Sequence, residues 1–91
     1  MKVENITSSN GNKIANQFVI TDDYGNKYFQ SYNSIIAVKY TSGIFFIGLD
    51  QKYWNYSNTT GKYRNIFLNE TITETKKKIK SGEYILTDLN K

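Results

Sequence analysis

The sequence contains no cysteine, no histidine and no proline among its 91 residues. It therefore lacks a thiol nucleophile, an imidazole base that titrates near neutral pH and the usual ligands of zinc. The absence of cysteine also excludes a disulfide framework. A chain of this length is typical of one small domain. We therefore expect a single domain over residues 1–91, with no cofactor, no metal site and no catalytic residue.

Long apolar segments are also missing. The longest strongly apolar run covers residues 43–49, which is too short to cross a bilayer. No apolar run follows the first five residues, so the N-terminus does not resemble a signal peptide. These features predict a cytoplasmic protein that has no membrane partner.

Positive charge is concentrated in the second half of the chain. The 12 basic and 8 acidic side chains give a net charge of +4. Residues 1–50 contain equal numbers of both signs, so the whole excess falls in residues 51–91. A basic half attracts nucleic acid, anionic lipid or an acidic protein surface.

Aromatic and β-branched residues dominate the first part of the chain and favour a sheet. The predicted strands cover residues 14–21, 27–32, 35–40, 44–49, 53–56 and 83–89. Residues 22–26 are predicted to form a hairpin turn, because Gly25 and Asn26 tolerate a positive φ. The run 44–49 is the most apolar, so we expect it to be a central strand with Phe45 or Phe46 buried.

Two short helices are predicted between the last two strands. Tyr63, Ile66 and Phe67 have the spacing of one helical face, which indicates a helix over residues 59–68. A second helix is expected to begin after the capping box formed by Thr71 and Glu74. Gly82 is expected to end that helix in the left-handed conformation.

The order of these elements predicts an α+β fold. Strands, then helices, then one strand do not give the regular alternation of a doubly wound parallel sheet. We expect a small, curved, antiparallel sheet of four to six strands with the two short helices packed on one face. An open edge of such a sheet could pair two copies of the chain as a homodimer.

Four segments carry a resemblance to a known group of proteins. They are residues 29–37 (FQSYNSIIA), 54–63 (WNYSNTTGKY), 67–68 (FL) and 79–82 (IKSG). Over residues 28–90 the chain resembles a family of small uncharacterised proteins encoded by phages and prophages of low-GC Gram-positive bacteria. The resemblance implies a protein made during infection or from a prophage, which acts on a host protein or protein–nucleic acid complex in the host cytosol. It implies no catalytic residue.

A group of aromatic residues forms the first candidate site, and its tyrosines are interpreted equally well as exposed binding residues or as neighbours of Trp54 in the core. Tyr53 and Tyr56 flank Trp54, and exposed aromatic side chains can stack on bases or anchor a protein partner. We expect Trp54 itself to lie in the core, because a domain this small needs its one indole inside.

Basic residues on the two predicted helices form the second candidate site. They are Lys62 and Arg64 on the first helix and Lys76, Lys77 and Lys80 on the second. Together they could make a surface for phosphates. The simpler interpretation is a set of solvated helix ends that suit the helix dipole.

Two further motifs are weaker. The segment 57–62 (SNTTGK) lacks the earlier glycine and the following hydroxyl of a phosphate-binding loop, so it is interpreted as the start of a helix. A bare helix start can nevertheless hold one phosphate or carboxylate. Asp22 and Asp23 are interpreted as turn formers rather than metal ligands.

These observations predict a small, non-enzymatic binding protein that acts on a host macromolecule, with inhibition of a host defence system as one form of that action. The alternative is a nucleic-acid-binding accessory protein that uses the basic helices and the neighbouring tyrosines.

Overall fold

The computed structural model describes residues 1–90 and contains one sheet and two helices. The strands are β1 (Lys2–Thr7), β2 (Lys13–Thr21), β3 (Lys27–Ser31), β4 (Ser34–Tyr40), β5 (Phe46–Asp50) and β6 (Tyr84–Thr87). The helices are α1 (Asn58–Leu68) and α2 (Ile72–Ser81). The predicted α+β fold is confirmed, and the sheet is open.

Strand order in the sheet follows chain order from β1 to β6. The first four pairings are antiparallel, as predicted. The last pairing, between β5 and β6, is parallel. The two helices lie between β5 and β6 in the chain and return it to the level at which β5 begins, so β6 lies beside β5 and runs in the same direction.

Two strand predictions were incomplete or wrong. The strand β1 was not predicted, because its sequence KVENIT has no continuous apolar run; it pairs with β2 with Val3 opposite Ile20. Residues 53–56 do not form a strand. The chain turns there instead, because Asp50 Oδ2 accepts hydrogen bonds from the amides of Lys52 and Tyr53 at 3.0 and 2.8 Å.

The apolar run 44–49 joins the sheet later than predicted. The pairing of β4 with β5 begins at Phe46 opposite Tyr40, and the preceding residues belong to the turn between these strands. Ile44 is 87% exposed and Phe45 is 63% exposed, while Phe46 is half-buried. The expectation that Phe45 or Phe46 is buried was therefore wrong, although β5 does lie between two strands.

The core lies between the sheet and the helices. Phe29 of β3 is fully buried and stacks on Phe67 of α1, with ring centroids 5.8 Å apart. Leu49 of β5 and Tyr84 of β6 belong to the same buried cluster. The register places Phe29, Leu49 and Tyr84 on one face of the sheet, and both helices cover that face.

Local sequence signals define the start of α1 and both ends of α2. Ser57 is the N-cap of α1, and its hydroxyl accepts a hydrogen bond from the Thr60 amide. The predicted capping box of α2 is present, with Thr71 as N-cap and Glu74 as its reciprocal partner. Gly82 ends α2 with a φ of 85°, in the left-handed region that favours glycine.

The opposite face of the sheet has no helix over it. One cross-strand row runs across all six strands on that face: Val3, Ile20, Tyr28, Val38, Gly48 and Ile85. Val38 near the middle of the row is only 3% exposed, whereas Ile85 at the edge is 48% exposed. Among residues 1–90, no helix is long and apolar enough to cross a membrane.

Candidate functional site

A cleft lined by three tyrosines lies where the β3–β4 turn meets the first turn of α1. Its volume is about 410 Å³, within the range of small binding clefts. Its lining residues carry no formal charge and comprise Ser31, Tyr32, Asn33, Ser34, Ile36, Tyr53, Tyr56 and Thr60. We call this feature the tyrosine cleft.

The β3–β4 turn holds Tyr32 in an unusual backbone conformation. Its φ is 55°, and Asn16 in β2 has a φ of 65°; both lie in the left-handed region, where few residues other than glycine are found. The Tyr32 amide donates a hydrogen bond of 2.7 Å to the Asn16 carbonyl. This bond fixes the turn, and the Tyr32 side chain remains 55% exposed.

Two hydroxyls join the strand side of the cleft to the helix side. The Oγ atom of Ser31, at the end of β3, lies 3.1 Å from Oγ1 of Thr60, in the first turn of α1. Both residues are buried. Ser57 donates a further hydrogen bond of 3.2 Å to Thr60 Oγ1. The cleft wall is therefore held by hydrogen bonds within the protein, and the tyrosine rings form its accessible part.

The structure places both predicted tyrosines in this cleft. The rings of Tyr53 and Tyr56 meet edge to face, with centroids 5.6 Å apart and an interplanar angle of 72°. Tyr53 is half-buried, whereas Tyr56 is 67% exposed. Trp54, between them, is half-buried and packs at the margin of the core. Trp54 therefore lies beside the core rather than inside it, contrary to the expectation, and Tyr53 packs against the core in the same way.

Sequence reasoning missed Tyr32 as a member of this site. The alternation of residues along the strand placed it with Tyr28 and Gln30 on the open face of the sheet. The structure ends β3 at Ser31, and the left-handed backbone at Tyr32 turns its side chain away from that row. The turn residues Asn33 and Ser34 were visible in the sequence, but nothing local showed that α1 would lie beside them.

Arg64 was predicted on a basic surface, and this was wrong because its side chain is buried. Only 1% of the residue is exposed. Nη1 donates to the Trp54 carbonyl at 2.7 Å and to Asn55 Oδ1 at 3.2 Å, and Nη2 donates to Asn65 Oδ1 at 3.0 Å. The guanidinium therefore ties α1 to the turn that precedes it.

The predicted lysines are on the surface but do not form one continuous patch with Arg64. Lys62, Lys76, Lys77 and Lys80 are all exposed. Within residues 1–90, none of them forms an ion pair; the only lysine of α2 that does is Lys78, which binds Glu70 at 2.8 Å. Since α2 packs beside the edge strand β6, its three free lysines form a surface separate from the tyrosine cleft.

Glu70 organises the turn between the helices. Its carboxylate accepts hydrogen bonds from the Thr75 and Tyr84 hydroxyls, both at 2.6 Å, and from Lys78 Nζ at 2.8 Å. Burial opposes ionisation of Glu70, but these three donors outweigh it and lower its pKa. Its own burial and its hydrogen bond to the Glu70 carboxylate raise the pKa of Tyr84 to about 12. This carboxylate is fully used within the fold.

The acidic pair at residues 22 and 23 forms a turn, as predicted. Asp22 accepts hydrogen bonds from the amides of Tyr24 and Asn26 and from the Tyr28 hydroxyl. The Asn26 side-chain amide donates a further hydrogen bond to this carboxylate. Desolvation opposes ionisation of Asp22, but these hydrogen bonds, that from the Asn26 side chain first, outweigh it and lower the pKa of the carboxyl. Among residues 1–90, no group of three or more acidic side chains could hold a metal ion.

The fold and these sites define a small α+β protein with an open sheet and an aromatic cleft at one end of α1. The model of a family of unknown function, DUF8033, matches residues 1–85. The chain therefore belongs to that family. No curated protein and no solved structure matches the chain significantly.

Proposed function

We propose that this protein is a non-enzymatic binding protein that occupies a surface of a protein partner through the tyrosine cleft. The observation that carries the proposal is the arrangement of Tyr32, Tyr53 and Tyr56 around one uncharged cleft. Tyrosine is enriched at the energetic centres of protein interfaces, where its ring packs and its hydroxyl forms a hydrogen bond. Rigid aromatic side chains lose little entropy when they are buried by a partner.

The backbone of the cleft supports this role. A left-handed backbone at a residue other than glycine costs about 1–3 kcal/mol and is found preferentially at functional sites. Here the strained residue, Tyr32, presents a half-exposed ring at the cleft. The hydrogen bond from the Tyr32 amide to the Asn16 carbonyl fixes the backbone from which that ring projects before a partner arrives, which reduces the entropic cost of binding.

The charge of the cleft favours a protein partner over nucleic acid. Binding to a nucleic acid backbone requires cations that neutralise phosphates, and none of the lining residues of the cleft is charged. The phage context of the resemblance is the reason that we propose a host protein as the partner, in the host cytosol. Inhibition of a host defence factor is the form of action that this context favours.

A capture experiment with matched variants tests this proposal. The tagged protein is used to capture partners from a host lysate that has been treated with nuclease, and affinity for the captured protein is then measured for wild type and variants. Tyr56→Ala removes an exposed ring, and Tyr32→Asn removes the other while keeping a residue that tolerates a left-handed backbone. We expect the double variant to bind at least about tenfold more weakly, as for hot-spot residues.

The control variant is Tyr24→Ala. Tyr24 is 79% exposed and lies in the β2–β3 turn, at the opposite end of β3 from the cleft. It should leave affinity unchanged. Equal affinity of wild type and the double variant, with both proteins folded, would contradict the proposal.

The second candidate function is nucleic acid binding through α2. The exposed, unpaired state of Lys76, Lys77 and Lys80 within residues 1–90 favours it. A gel shift with DNA and RNA should then show binding that weakens as salt rises. Changing all three lysines to glutamate should abolish that binding and leave the fold intact, because exposed charges contribute well under about 1 kcal/mol each to stability.

A further inference from the structure

A second cleft lies at the first turn of α1, and none of its lining residues belongs to the tyrosine cleft. Its volume is about 450 Å³. Its lining residues are Asn55, Ser57, Asn58, Gly61, Lys62, Arg64, Asn65 and Ile72. The set contains two cations, three amides and one hydroxyl, and no carboxylate. We call this feature the arginine cleft.

The buried cation at this cleft has no carboxylate partner. Arg64 is 1% exposed, and its three hydrogen bonds go to neutral oxygens of Trp54, Asn55 and Asn65. Its Nε–H donor has no acceptor within the part of the chain that the structure describes. Buried charges in proteins are usually paired, so this guanidinium lacks the anion that such positions normally hold.

The acidic group whose charge acts on Arg64 is Glu70, and its carboxylate already has hydrogen-bond donors of its own. The charge of Glu70 acts on Arg64 only at a distance, and burial lowers the pKa of the guanidinium. The Glu70 carboxylate accepts from Thr75, Lys78 and Tyr84 instead. The charge of Arg64 is therefore left without a direct counter-ion.

The start of α1 adds to the positive potential at the same place. The first turn of α1 contains no acidic residue, so nothing offsets the positive end of the helix dipole. Ser57 accepts from the amide of Thr60, but the amides of Asn58 and Thr59 precede the first intrahelical hydrogen bond and have no carbonyl of their own helix to bind. Such amides bind oxyanions.

Gly61 places no side chain between the Arg64 guanidinium and the cleft that both residues line. A Cβ atom at this position would lie 3.6 Å from Arg64 Nη2 and 3.7 Å from Nη1. These are ordinary contact distances, so an alanine would fit, and its methyl group would fill the space beside the guanidinium. Gly61 and Arg64 are both buried, so the glycine leaves a methyl-sized space next to the cation just beneath the surface of the cleft.

We propose that the arginine cleft is a binding site for a phosphate group, held by the Arg64 guanidinium, the Lys62 ammonium and the first-turn amides of α1. Arginine and helix N-termini are the groups that proteins commonly use for phosphate. The phosphate belongs either to a free phosphomonoester or to a nucleic acid backbone. The site is distinct from the tyrosine cleft, so it stands or falls separately from the proposed protein partner.

The test is a titration of the full chain with inorganic phosphate at constant ionic strength, followed by amide chemical shifts. We expect saturable shifts at Asn58, Thr59 and Gly61, and weaker or no shifts when acetate replaces phosphate. Non-saturable shifts spread over all exposed lysines, or equal response to acetate at these amides, would overturn the proposal.

Variants separate binding from folding. Gly61→Ala should keep or raise thermal stability, because alanine favours a helix interior over glycine, and should weaken phosphate binding. Lys62→Gln should weaken it roughly two- to fivefold, the effect expected for an exposed cation. The matched control Lys27→Gln removes an exposed lysine at the start of β3, the end of that strand that lies away from α1, and should change nothing. Unchanged phosphate affinity in both Gly61→Ala and Lys62→Gln would refute the site.

A second probe distinguishes the source of the phosphate. An eight-residue oligothymidylate is titrated under the same conditions. Saturable shifts of the same amides, lost in Gly61→Ala, would assign the site to a nucleic acid backbone. Binding of inorganic phosphate without binding of the oligonucleotide would assign it to a free phosphomonoester. A lack of response to both probes would overturn the proposal.

Discussion

Individual side chains take their roles from their positions in the fold rather than from their types. Arg64 and Lys62 are two residues apart on α1, yet Arg64 is buried and Lys62 is exposed. Phe45 and Phe29 differ in the same way: Phe45 is 63% exposed, whereas Phe29 is fully buried. Residue type therefore indicates which side chains can be buried. The position of each side chain relative to the sheet and the helices determines whether it is buried.

The phenylalanines give a direct test at the residue scale. Phe29→Ala should lower the free energy of unfolding by about 3–5 kcal/mol, since it leaves a cavity under Phe67. Phe45→Ala removes an exposed ring and should change it by less than about 0.5 kcal/mol. Urea denaturation followed by tryptophan fluorescence measures both. A large loss in Phe45→Ala would show that the turn before β5 is packed in solution.

At the scale of elements, the helices follow local rules and the strands do not. The capping box at Thr71 and Glu74 and the left-handed Gly82 define α2 at both ends. These contacts join residues no more than four positions apart, so they can be predicted from a short stretch of sequence. The strand β1 has no comparable signal, because its stability comes from pairing with β2.

The N-cap of α2 can be tested by a single substitution. Thr71→Ala removes the hydroxyl that accepts the Glu74 amide and should cost about 1 kcal/mol. Thr71→Ser keeps a hydroxyl at the same position and should recover most of that stability. Thermal denaturation followed by circular dichroism compares the three proteins. If the alanine and serine variants had the same melting temperature, below that of wild type, loss of the cap would not be the cause of the destabilisation.

At the scale of the whole molecule, two carboxylates hold the C-terminal strand to the rest of the fold. Asp50 Oδ1 accepts from the Leu89 amide at 2.9 Å, just after β6. Glu70 accepts from the hydroxyl of Tyr84, at the start of β6. Burial opposes ionisation of Asp50, but the amide donors of Leu89, Tyr53 and Lys52 prevail and lower its pKa. Both groups therefore bind protons less readily in the folded state.

The lowered pKa values of Asp50 and Glu70 predict that the protein becomes less stable in acid. The ordinary pKa values are 3.8 for Asp50 and 4.5 for Glu70, and the folded values lie below them. The folded state then binds fewer protons than the unfolded state, so the stabilisation is complete above about pH 5.5 and is lost as pH falls through the ordinary values toward the folded ones. Urea midpoints measured from pH 7 to pH 3 should decrease over that interval.

Asp50→Asn tests the contribution of one carboxylate. It should destabilise the protein at pH 7 by roughly 2 kcal/mol, through loss of charge-assisted hydrogen bonds, and flatten the decrease in acid. The control is Glu83→Gln, because Glu83 is exposed and its carboxylate accepts no hydrogen bond from residues 1–90. An equal pH dependence in wild type and Asp50→Asn would exclude this carboxylate as a cause.

The sequence by itself determined the features that depend on neighbours in the chain. These are the turn at residues 22–26, the cap and the end of α2, the alternation of Phe29 and Ser31 on one face of β3, and the α+β class. The turn, the cap and end of α2 and the alternation along β3 rest on backbone preference or on contacts between near neighbours, so a short window of sequence contains their cause. The α+β class follows from the order of the predicted elements along the chain.

Tertiary structure alone decided which distant residues meet. Tyr32 joins Tyr53 and Tyr56 because the β3–β4 turn lies against the first turn of α1. Arg64 leaves the surface because the carbonyl of Trp54 and the amides of Asn55 and Asn65 surround its guanidinium. The tyrosine cleft is built from segments that are more than one element apart, and its geometry depends on how α1 packs on the sheet. The arginine cleft is built from neighbouring segments, namely the turn before α1, α1 itself and the start of α2. The packing of the helices on the sheet cannot be predicted from the spacing of residues along the chain.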